Sequence, residues 1–197
     1  MLEFVVAVFL LIITPGPGVM SAAGMGAAYG FRHGLRYVFG LFLGNNLVIL
    51  AVVTGLAALI LANPVIRTVL FVASTCYLLY LAARIAFAGA RVGFIEARRD
   101  PGIAAGLLLQ PINPKAYVVN TTLFSGFILY PDALWTEAIV KVLAVNAIWI
   151  PIHLVWLFAG AMLERLELAP RTHRAINIGM AAAMLGVVAL AALSTQI

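Results

Sequence analysis

Lys115 is the side chain whose position most needs a functional explanation, because it is the one charged residue in the apolar interval between Asp100 and Asp132. If that interval crosses a bilayer, an ammonium group lies within about 30 Å of hydrocarbon, where charge is costly and usually functional. Its neighbours Asn113 and Pro114 interrupt the apolar run with an amide and a helix break. This segment therefore has the chemistry to bind a small carboxylate.

A second break lies in the first apolar run and consists of Pro15, Gly16, Pro17 and Gly18. Two prolines with two glycines should unwind a helix, and unwound backbone is tolerated in lipid only where protein or a water-filled cavity covers it. Two proline-broken segments, one in each half of a chain, are typical of transporters built from internal repeats. We therefore predict that both breaks line one substrate-binding cavity, with a purely structural kink as the alternative.

Two roles are open for Lys115. In the first, the ammonium receives the carboxylate of a substrate, with Asn113 and the first break holding the rest. Because burial disfavours the charged form of an amine, substrate binding would then favour proton uptake by Lys115. In the second role, Lys115 hydrogen-bonds the carbonyl groups freed by the proline break and only holds the helix ends.

Further polar side chains lie within apolar runs, namely Asn45, Asn46 and His153. Buried amides need hydrogen-bond partners, so the two asparagines either line the cavity or bond across helices. His153 is a candidate proton carrier beside Lys115, although a neutral, hydrogen-bonded histidine is the more frequent case. No acidic side chain lies in the core of a predicted span, so the sequence predicts no metal site and no acid-dependent catalytic group.

The composition is that of an integral membrane protein, since 64% of the residues are hydrophobic, 10% are charged, and the mean hydropathy is +1.11. The first apolar run is preceded by Glu3 and by no basic residue, which is not typical of a removable signal peptide. The lone Cys76 excludes an intrachain disulfide framework. We predict six membrane spans, at roughly 3–28, 38–61, 65–86, 103–130, 138–161 and 174–195.

Basic residues predict the orientation of these spans. Nine of the twelve Lys and Arg residues lie on one side of these spans, at or near the ends of the first, third and fifth, whereas the other side holds only Arg67 and Lys141. The positive-inside rule then places the Arg-rich loops in the cytoplasm and both termini outside the cytoplasmic membrane. Because the net charge of +5 is spread over short loops, we predict a lipid bilayer and a small molecule as partners, and no nucleic acid.

Three spans in each half make the second half start from the opposite side of the membrane. We therefore predict two inverted repeats, at residues 1–95 and 103–197, joined by a cytoplasmic connector at 96–102. The predicted fold is an all-α membrane protein of six transmembrane helices in two inverted three-helix repeats, in which the first and fourth helices are broken.

The motifs resemble those of the LysE/RhtB family of amino-acid exporters. The matching segments are Thr14-Pro-Gly-Pro17, Gly30-Phe-Arg-His-Gly34 with Gly40 and Gly44, and Asn113-Pro-Lys-Ala116. The resemblance implies an inner-membrane carrier, without a cofactor, that exports amino acids or related small carboxylate metabolites using the proton gradient. It leaves a homodimer open as the assembly.

Two positions depart from the family pattern. Gly18 stands where the family usually has an asparagine, and Asn45 stands where many relatives have an aspartate. Without an acid in the cavity, the chain is poorly suited to a basic substrate side chain, and we favour a neutral amino acid or another small metabolite with a carboxylate. Two other classes are kept as alternatives: a membrane scaffold or assembly subunit without transport activity, and an intramembrane enzyme that uses Lys115 as its base. Between these classes we predict a transporter and not an enzyme.

Overall fold

The computed structural model describes residues 1–86 and 101–165, together with isolated positions between 171 and 186. All regular structure in these residues is helical, which confirms the predicted all-α fold. Most of the predicted connector and most of the predicted span at 174–195 lie outside the described residues. The helices are α1 (Leu2–Ile13), α2 (Pro17–Val53), α3 (Leu56–Ala62), α4 (Pro64–Ala86), α5 (Gly102–Ile112), α6 (Pro114–Ser125) and α7 (Leu134–Arg165).

Within the described residues, three segments are long and apolar enough to cross a membrane, namely Pro17–Val53, Pro64–Ala83 and Leu134–Met162. The shorter apolar helices Leu2–Ile13 and Gly102–Ile112 are each followed by a break and a second helix. As a result, α1 with the start of α2, and α5 with α6, form two interrupted helices of the kind that the prolines predicted.

The first break spans residues 14–16. Helix α1 ends when the amide and the hydroxyl of Thr14 both donate to the main-chain oxygen of Leu10. Gly16 is extended, and Pro17 then takes the first position of α2. That position suits proline because its missing N–H would have no partner inside the helix.

The second break is a single residue, Asn113, which ends α5 and begins α6. Pro111 lies in the last turn of α5, and Pro114 takes the first position of α6. The side-chain oxygen of Asn113 accepts a hydrogen bond of 3.1 Å from the main-chain N–H of Lys115. This N-cap satisfies one of the donors that a helix start leaves unpaired.

The helices differ from the predicted first and second spans in where they begin and end. The chain continues as helix through 29–37, where Gly30, at φ 75° and ψ 173°, turns its direction within one residue. Only glycine adopts such a conformation readily, so no loop is needed there. Helix α2 then ends at Val53, and Gly55, at φ 76°, leads into the separate helix α3.

Helices α2 and α7 touch backbone to backbone along what we call the α2–α7 seam, formed around Gly26 and Gly160. A Cβ atom at Gly26 would overlap the main-chain oxygen of Leu157, and one at Gly160 would overlap that of Ala23. Any larger residue would separate the helices, as is usual where small residues bring membrane helices together.

A matching α2–α5 seam forms around Gly40 and Gly106. A Cβ atom at Gly40 would overlap the main-chain oxygen of Ile103, and one at Gly106 would overlap that of Tyr37. Gly44 continues this seam against the main-chain oxygen of Leu107. Together the two seams fix α2 between α5 and α7.

Candidate substrate site between the helix breaks

Lys115 joins the two breaks. Its ammonium donates a hydrogen bond of 2.6 Å to the main-chain oxygen of Thr14, at the end of α1. The side chain passes over Gly16, where an added Cβ would lie 2.7 Å from Cδ of Lys115. Gly16 therefore leaves the space that the lysine needs to reach across.

The cation is poorly placed with respect to its own helix, because Lys115 lies in the first turn of α6, at the positive end of the helix dipole. The oxygen of Thr14 lies at the negative end of α1 and offsets this. Bridging two half-helices in this way is the structural role that the sequence left open for Lys115. The hydrogen bond to Thr14 uses one of the three N–H donors of the ammonium.

A cavity of about 50 Å³ lies between the breaks. It has room for a few water molecules but is small beside the roughly 300–1,000 Å³ of typical ligand pockets. This conformation therefore has no room for a whole amino acid. The lining residues are Leu11, Ile12, Thr14, Gly16, Gly18, Val19, Asn45, Gln110, Asn113, Lys115, Ala116, Val119, Asn120, Val145, Trp149 and His153.

Not every predicted site residue lines this cavity. Pro15 is exposed, Pro17 is buried at the start of α2, and Pro114 starts α6 without reaching the lining. Asn46 instead forms a reciprocal amide pair with Asn146 of α7, with hydrogen bonds of 2.8 and 3.3 Å. The structure thus places the two adjacent asparagines in different surroundings, Asn45 at the cavity and Asn46 between helices.

Main-chain contacts fix the orientation of the Gln110 amide. The main-chain N–H of Lys115 can only donate, so the side-chain atom of Asn113 that it contacts must be the oxygen. The amide nitrogen of Asn113 then donates 3.2 Å to Oε1 of Gln110. Nε2 of Gln110 is left as a donor at the cavity.

The same reasoning orients Asn45. The main-chain oxygen of Ala116 can only accept, so the atom of Asn120 at 2.8 Å from it is Nδ2. The same Nδ2 donates a second hydrogen bond, of 3.2 Å, to Oδ1 of Asn45. Nδ2 of Asn45 is buried and has no hydrogen-bond partner among the described residues. A buried donor without an acceptor costs about 1–3 kcal/mol, so this amide favours a ligand or water that brings an oxygen.

His153 presents an acceptor. Its Nδ1 lies 2.9 Å from the main-chain oxygen of Trp149 and so carries the hydrogen of a neutral ring. The ring stacks on the Trp149 indole, with 3.5 Å between the ring centroids. Its Nε2 points toward Gly18, where an added Cβ would lie 3.2 Å away.

The cavity therefore offers three donors, from Lys115, Asn45 and Gln110, and one acceptor, from His153. No aspartate or glutamate is among its lining residues. In the described parts of the chain, no three His, Cys, Asp or Glu side chains come together to hold a metal ion. A positive, donor-rich cavity of this kind is complementary to a carboxylate.

Gln110 and Asn120 were missed by the sequence analysis. Asn120 lies two helical turns after Asn113 and so shares a face of α6 with the start of that helix. This spacing is the signal that could have identified it. For Gln110 the only signal in the sequence was the neighbouring Pro111, which predicts a helix break but not the direction of the Gln110 side chain.

Lys141 has a structural role that the sequence analysis did not predict. The sequence analysis used it only as an orientation signal, on the side opposite the Arg-rich loops, whereas the structure shows it within α7 with 1% of its side chain exposed. Its ammonium donates to the main-chain oxygens of Phe124 and Phe127 and, at 2.6 Å, to Oε1 of Glu137. A buried charge requires such pairing, and this group of contacts, which we call the α6–α7 clasp, satisfies all three N–H donors.

Glu137 completes the clasp. Its second oxygen accepts from the main-chain N–H groups of Leu129 and Tyr130, at 3.0 and 2.8 Å. The clasp thereby holds the end of α6 and the following loop against α7. Beside it lies a second, larger cavity of about 310 Å³, formed between the end of α2 and helices α3, α6 and α7.

Two broken helices that meet at a polar cavity are typical of repeat-built membrane transporters. The chain belongs to the LysE type translocator family, whose sequence model matches residues 9–195. This match confirms the family that the motifs predicted. Since the family consists of integral membrane translocators, it also confirms that the chain is a membrane transport protein and not an enzyme.

Individual relatives are efflux proteins by name. A leucine efflux protein of Klebsiella pneumoniae subsp. pneumoniae is 30% identical over 132 residues, which cover 64% of this chain and 62% of that protein. A cysteine/O-acetylserine efflux protein of Salmonella typhimurium is 31% identical over 159 residues, covering 78% of each chain. The chain thus aligns with less than two thirds of the leucine efflux protein. No solved structure matches it.

Proposed function

We propose that this chain is a secondary transporter that exports amino acids or related small carboxylate metabolites across the cytoplasmic membrane. The observation that carries the proposal is the ammonium of Lys115 between two helix breaks, in a cavity with no acid in its lining. The efflux relatives support the direction and the substrate class. A scaffold would not need a cavity whose donors lack acceptors.

The carboxylate of the substrate binds at Lys115. An ammonium has three donors, and within the described ranges one of them is used, by the oxygen of Thr14. The other two are open to a carboxylate, as is the amide nitrogen of Asn45. The starts of α2 and α6 both lie at the breaks, and helix N-termini favour an anion.

The rest of the cavity supports a neutral substrate. Most of its remaining lining is apolar, including Leu11, Val19, Val119 and Val145. A basic side chain would need a buried acid, and the lining has none. A neutral amino acid suits this cavity, since its side chain needs no buried acid and its carboxylate balances the charge of Lys115.

Proton coupling is part of the proposal and is assigned to Lys115. Since burial disfavours a charged amine, arrival of the carboxylate favours the ammonium form and so draws a proton onto the lysine. His153 is the second candidate, because its Nε2 faces the same cavity. We assign the proton to Lys115 first because it is the group that meets the carboxylate.

The order of helices supports the proposed inverted repeats at 1–95 and 103–197. The break after α1 corresponds to the break after α5, and the long part of α2 after Gly30 corresponds to α7. The proposal includes six spans, both termini outside the cytoplasmic membrane, and a homodimer as the assembly. The positive-inside distribution of arginine supports the orientation.

The two ends of the bundle differ in a way that fits export. The α2–α7 and α2–α5 seams close it near Gly30, at the end that the proposed topology places in the cytoplasm. The larger cavity lies at the opposite end, beside the α6–α7 clasp. This arrangement fits a conformation closed toward the cytoplasm, and the seams must separate for substrate to enter.

Replacement of Lys115 tests the function. We expect the purified wild type to bind a neutral amino acid but not its C-terminal amide, and Lys115→Met to bind neither. Lys115→Arg keeps a charge and is the matched control, expected to retain part of the affinity. Calorimetry in buffers of different ionisation enthalpy should show proton uptake with binding by the wild type. A folded Lys115→Met protein with near-normal affinity would overturn the carboxylate role, and proteoliposomes without amino-acid flux would favour the scaffold.

A further inference from the structure

Asn46 and Asn146 form a reciprocal pair between α2 and α7, which we call the amide pair. Nδ2 of Asn146 donates 2.8 Å to Oδ1 of Asn46, and Nδ2 of Asn46 donates 3.3 Å to Oδ1 of Asn146. Nδ2 of Asn46 also donates 2.8 Å to the main-chain oxygen of Phe42, which fixes the orientation of that amide. Each asparagine thus makes the contact that it receives, as residues on a twofold axis do.

Under the proposed inverted repeats, the two asparagines occupy equivalent positions. The long part of α2 after Gly30 corresponds to α7, and Asn146 follows Asn46 by 100 positions, close to the separation of the two repeats. The pseudo-twofold axis that relates the halves then passes through the amide pair. A contact on such an axis is its own counterpart, whereas every contact away from the axis has its counterpart elsewhere.

The packing of α2 against α7 differs on the two sides of the amide pair. Toward the end near Gly30 the helices are in contact, since a Cβ at Gly34 would overlap Cδ1 of Leu157. Toward the other end, Val53 of α2 and Ala138 of α7 both line the larger cavity, so a space lies between the helices. The amide pair therefore lies between a closed side and an open side.

We propose that the amide pair is the fulcrum of the transport cycle, about which α2 turns against α7 while both asparagines stay in contact. The inference rests on the proposed function, a secondary transporter of two inverted repeats that move against each other. When the two halves exchange conformations, the closed side opens and the open side closes. Because the amide pair lies on the axis, it is the same contact before and after the exchange.

The chemistry of the contacts supports this division. The amide pair is half-buried between membrane helices, where no water replaces a lost hydrogen-bond partner. The contacts of the α2–α7 seam are close approaches of glycine to neighbouring atoms, and they separate without leaving a polar side chain unpaired. Of the two kinds of contact, the seam is therefore the one that opens.

The same symmetry identifies the contact that forms when the seam opens. Counted from the amide pair, the counterpart of Gly34 is Leu134, and the counterpart of Leu157 is Ala57. Both counterparts line the larger cavity. Leu134 and Ala57 therefore come together when Gly34 and Leu157 separate, which closes that cavity.

Disulfide cross-links distinguish a fulcrum from a gate. The test pair is Asn46→Cys with Asn146→Cys, and the matched control is Gly34→Cys with Leu157→Cys, both in the full chain with Cys76→Ala. Each oxidised protein is compared with its own reduced form for flux of L-leucine in proteoliposomes. We expect flux within about twofold for the test pair and a loss of at least about tenfold for the control, because only the control locks the seam. A tenfold loss for the test pair as well would overturn the fulcrum.

A second measurement keeps both asparagines. Ala57→Cys is combined with Leu134→Cys, again with Cys76→Ala, and the rate of cross-link formation is compared with and without Gly160→Ala, which opens the seam. We expect at least about tenfold faster cross-linking with Gly160→Ala, because the open seam favours the state in which the two residues meet. Ala57→Cys with Ile139→Cys is the control and should not respond, since Ile139 is exposed and outside the cavity lining. Equal rates with and without Gly160→Ala would overturn the exchange of ends.

The outcomes separate this inference from the function on which it rests. Wild-type proteoliposomes without L-leucine flux would contradict the proposed function for this amino acid, and the fulcrum with it. Wild-type flux that is blocked by the cross-link between positions 46 and 146 would overturn the fulcrum and leave the transporter standing. If that pair of cysteine variants does not fold or oxidise, the cross-link between positions 57 and 134 decides.

Discussion

The ammonium of Lys115 lies 2.6 Å from the main-chain oxygen of Thr14, although 101 positions separate the two residues in sequence. One side chain therefore connects the helix break of the first half of the chain to that of the second half. A ligand that competes for this ammonium also acts on the contact between the halves. Under the proposed function, substrate binding and movement of the two halves are therefore coupled at this ammonium.

Gly16→Ala should weaken substrate binding by about tenfold while leaving the protein folded. The added Cβ would lie 2.7 Å from Cδ and 2.9 Å from Nζ of Lys115, so the flexible lysine must leave its position over the break. Calorimetric titration with a neutral amino acid measures the effect. Gly179→Ala should bind as wild type does, and an equal affinity in Gly16→Ala would show that the lysine position is irrelevant to binding.

Asn45→Asp should shift the preference from neutral toward basic amino acids by about tenfold or more. One carboxylate oxygen keeps the hydrogen bond from Asn120, while the other replaces the unpaired donor with a negative charge in the cavity. The ratio of L-lysine to L-leucine affinity is the measurement. Asn46→Asp makes the same change one residue away, outside the cavity lining, and should not alter that ratio. A shift of equal size in both variants would count against a specific role for Asn45.

Lys141→Met should lower the free energy of unfolding by about 1–3 kcal/mol, because it leaves the main-chain oxygens of Phe124 and Phe127 without their donor. Unfolding by SDS in mixed micelles measures this. Lys115→Met removes a half-buried lysine with one acceptor and should cost markedly less. The double variant Lys141→Met with Glu137→Gln should recover part of the loss. If Lys141→Met and Lys115→Met lose the same free energy of unfolding, the clasp contributes no more to stability than the Lys115 contact does.

Gly160→Ala should open the α2–α7 seam. Its Cβ would overlap the main-chain oxygen of Ala23, and backbone cannot move aside as a side chain can. A cysteine in place of the fully buried Ala22 reports the opening by its labelling rate with a small polar thiol reagent, in a Cys76→Ala background because Cys76 is exposed. We expect the rate to rise by at least about tenfold, whereas Gly179→Ala should leave it unchanged. A folded Gly160→Ala protein with slow labelling would mean that the seam is not tight.

Reporter fusions test the orientation. Fusions after Arg36, Arg98 and Arg171 should read cytoplasmic, because the basic loops remain inside. Fusions near Asn63 and Tyr130 should read external. With the fusion after Arg36 reading cytoplasmic, an external reading after Arg98 would refute the inverted repeat.

The breaks and Lys115 could be predicted because their signals are local. A proline removes a donor at its own position, and a lysine in an apolar run is conspicuous without knowledge of its surroundings. The family motifs lie at the same positions, so the transport class was accessible from sequence. Gly16 and Gly18 were also found, although for their flexibility rather than for the space that they leave.

Contacts between helices could not be predicted in the same way. That Asn45 faces Asn120 while Asn46 faces Asn146 depends on the rotation of α2 against two neighbours. The change of direction at Gly30 could not be predicted, because nothing in a sequence distinguishes a glycine at positive φ from one at a close helix contact. The burial of Lys141 could not be predicted either, because it depends on the loop that returns over it.

The α6–α7 clasp has a mechanical consequence. With all three donors of Lys141 engaged, α6 cannot separate from α7 at that end without removing the two main-chain acceptors of Phe124 and Phe127 from a buried ammonium, which would keep only Glu137 of its own helix. Helices α6 and α7 therefore form one fixed wall of the larger cavity, and a change in its width requires movement of the opposite wall, formed by the end of α2 and by α3. Gly55, in its left-handed conformation between those two helices, is the natural pivot.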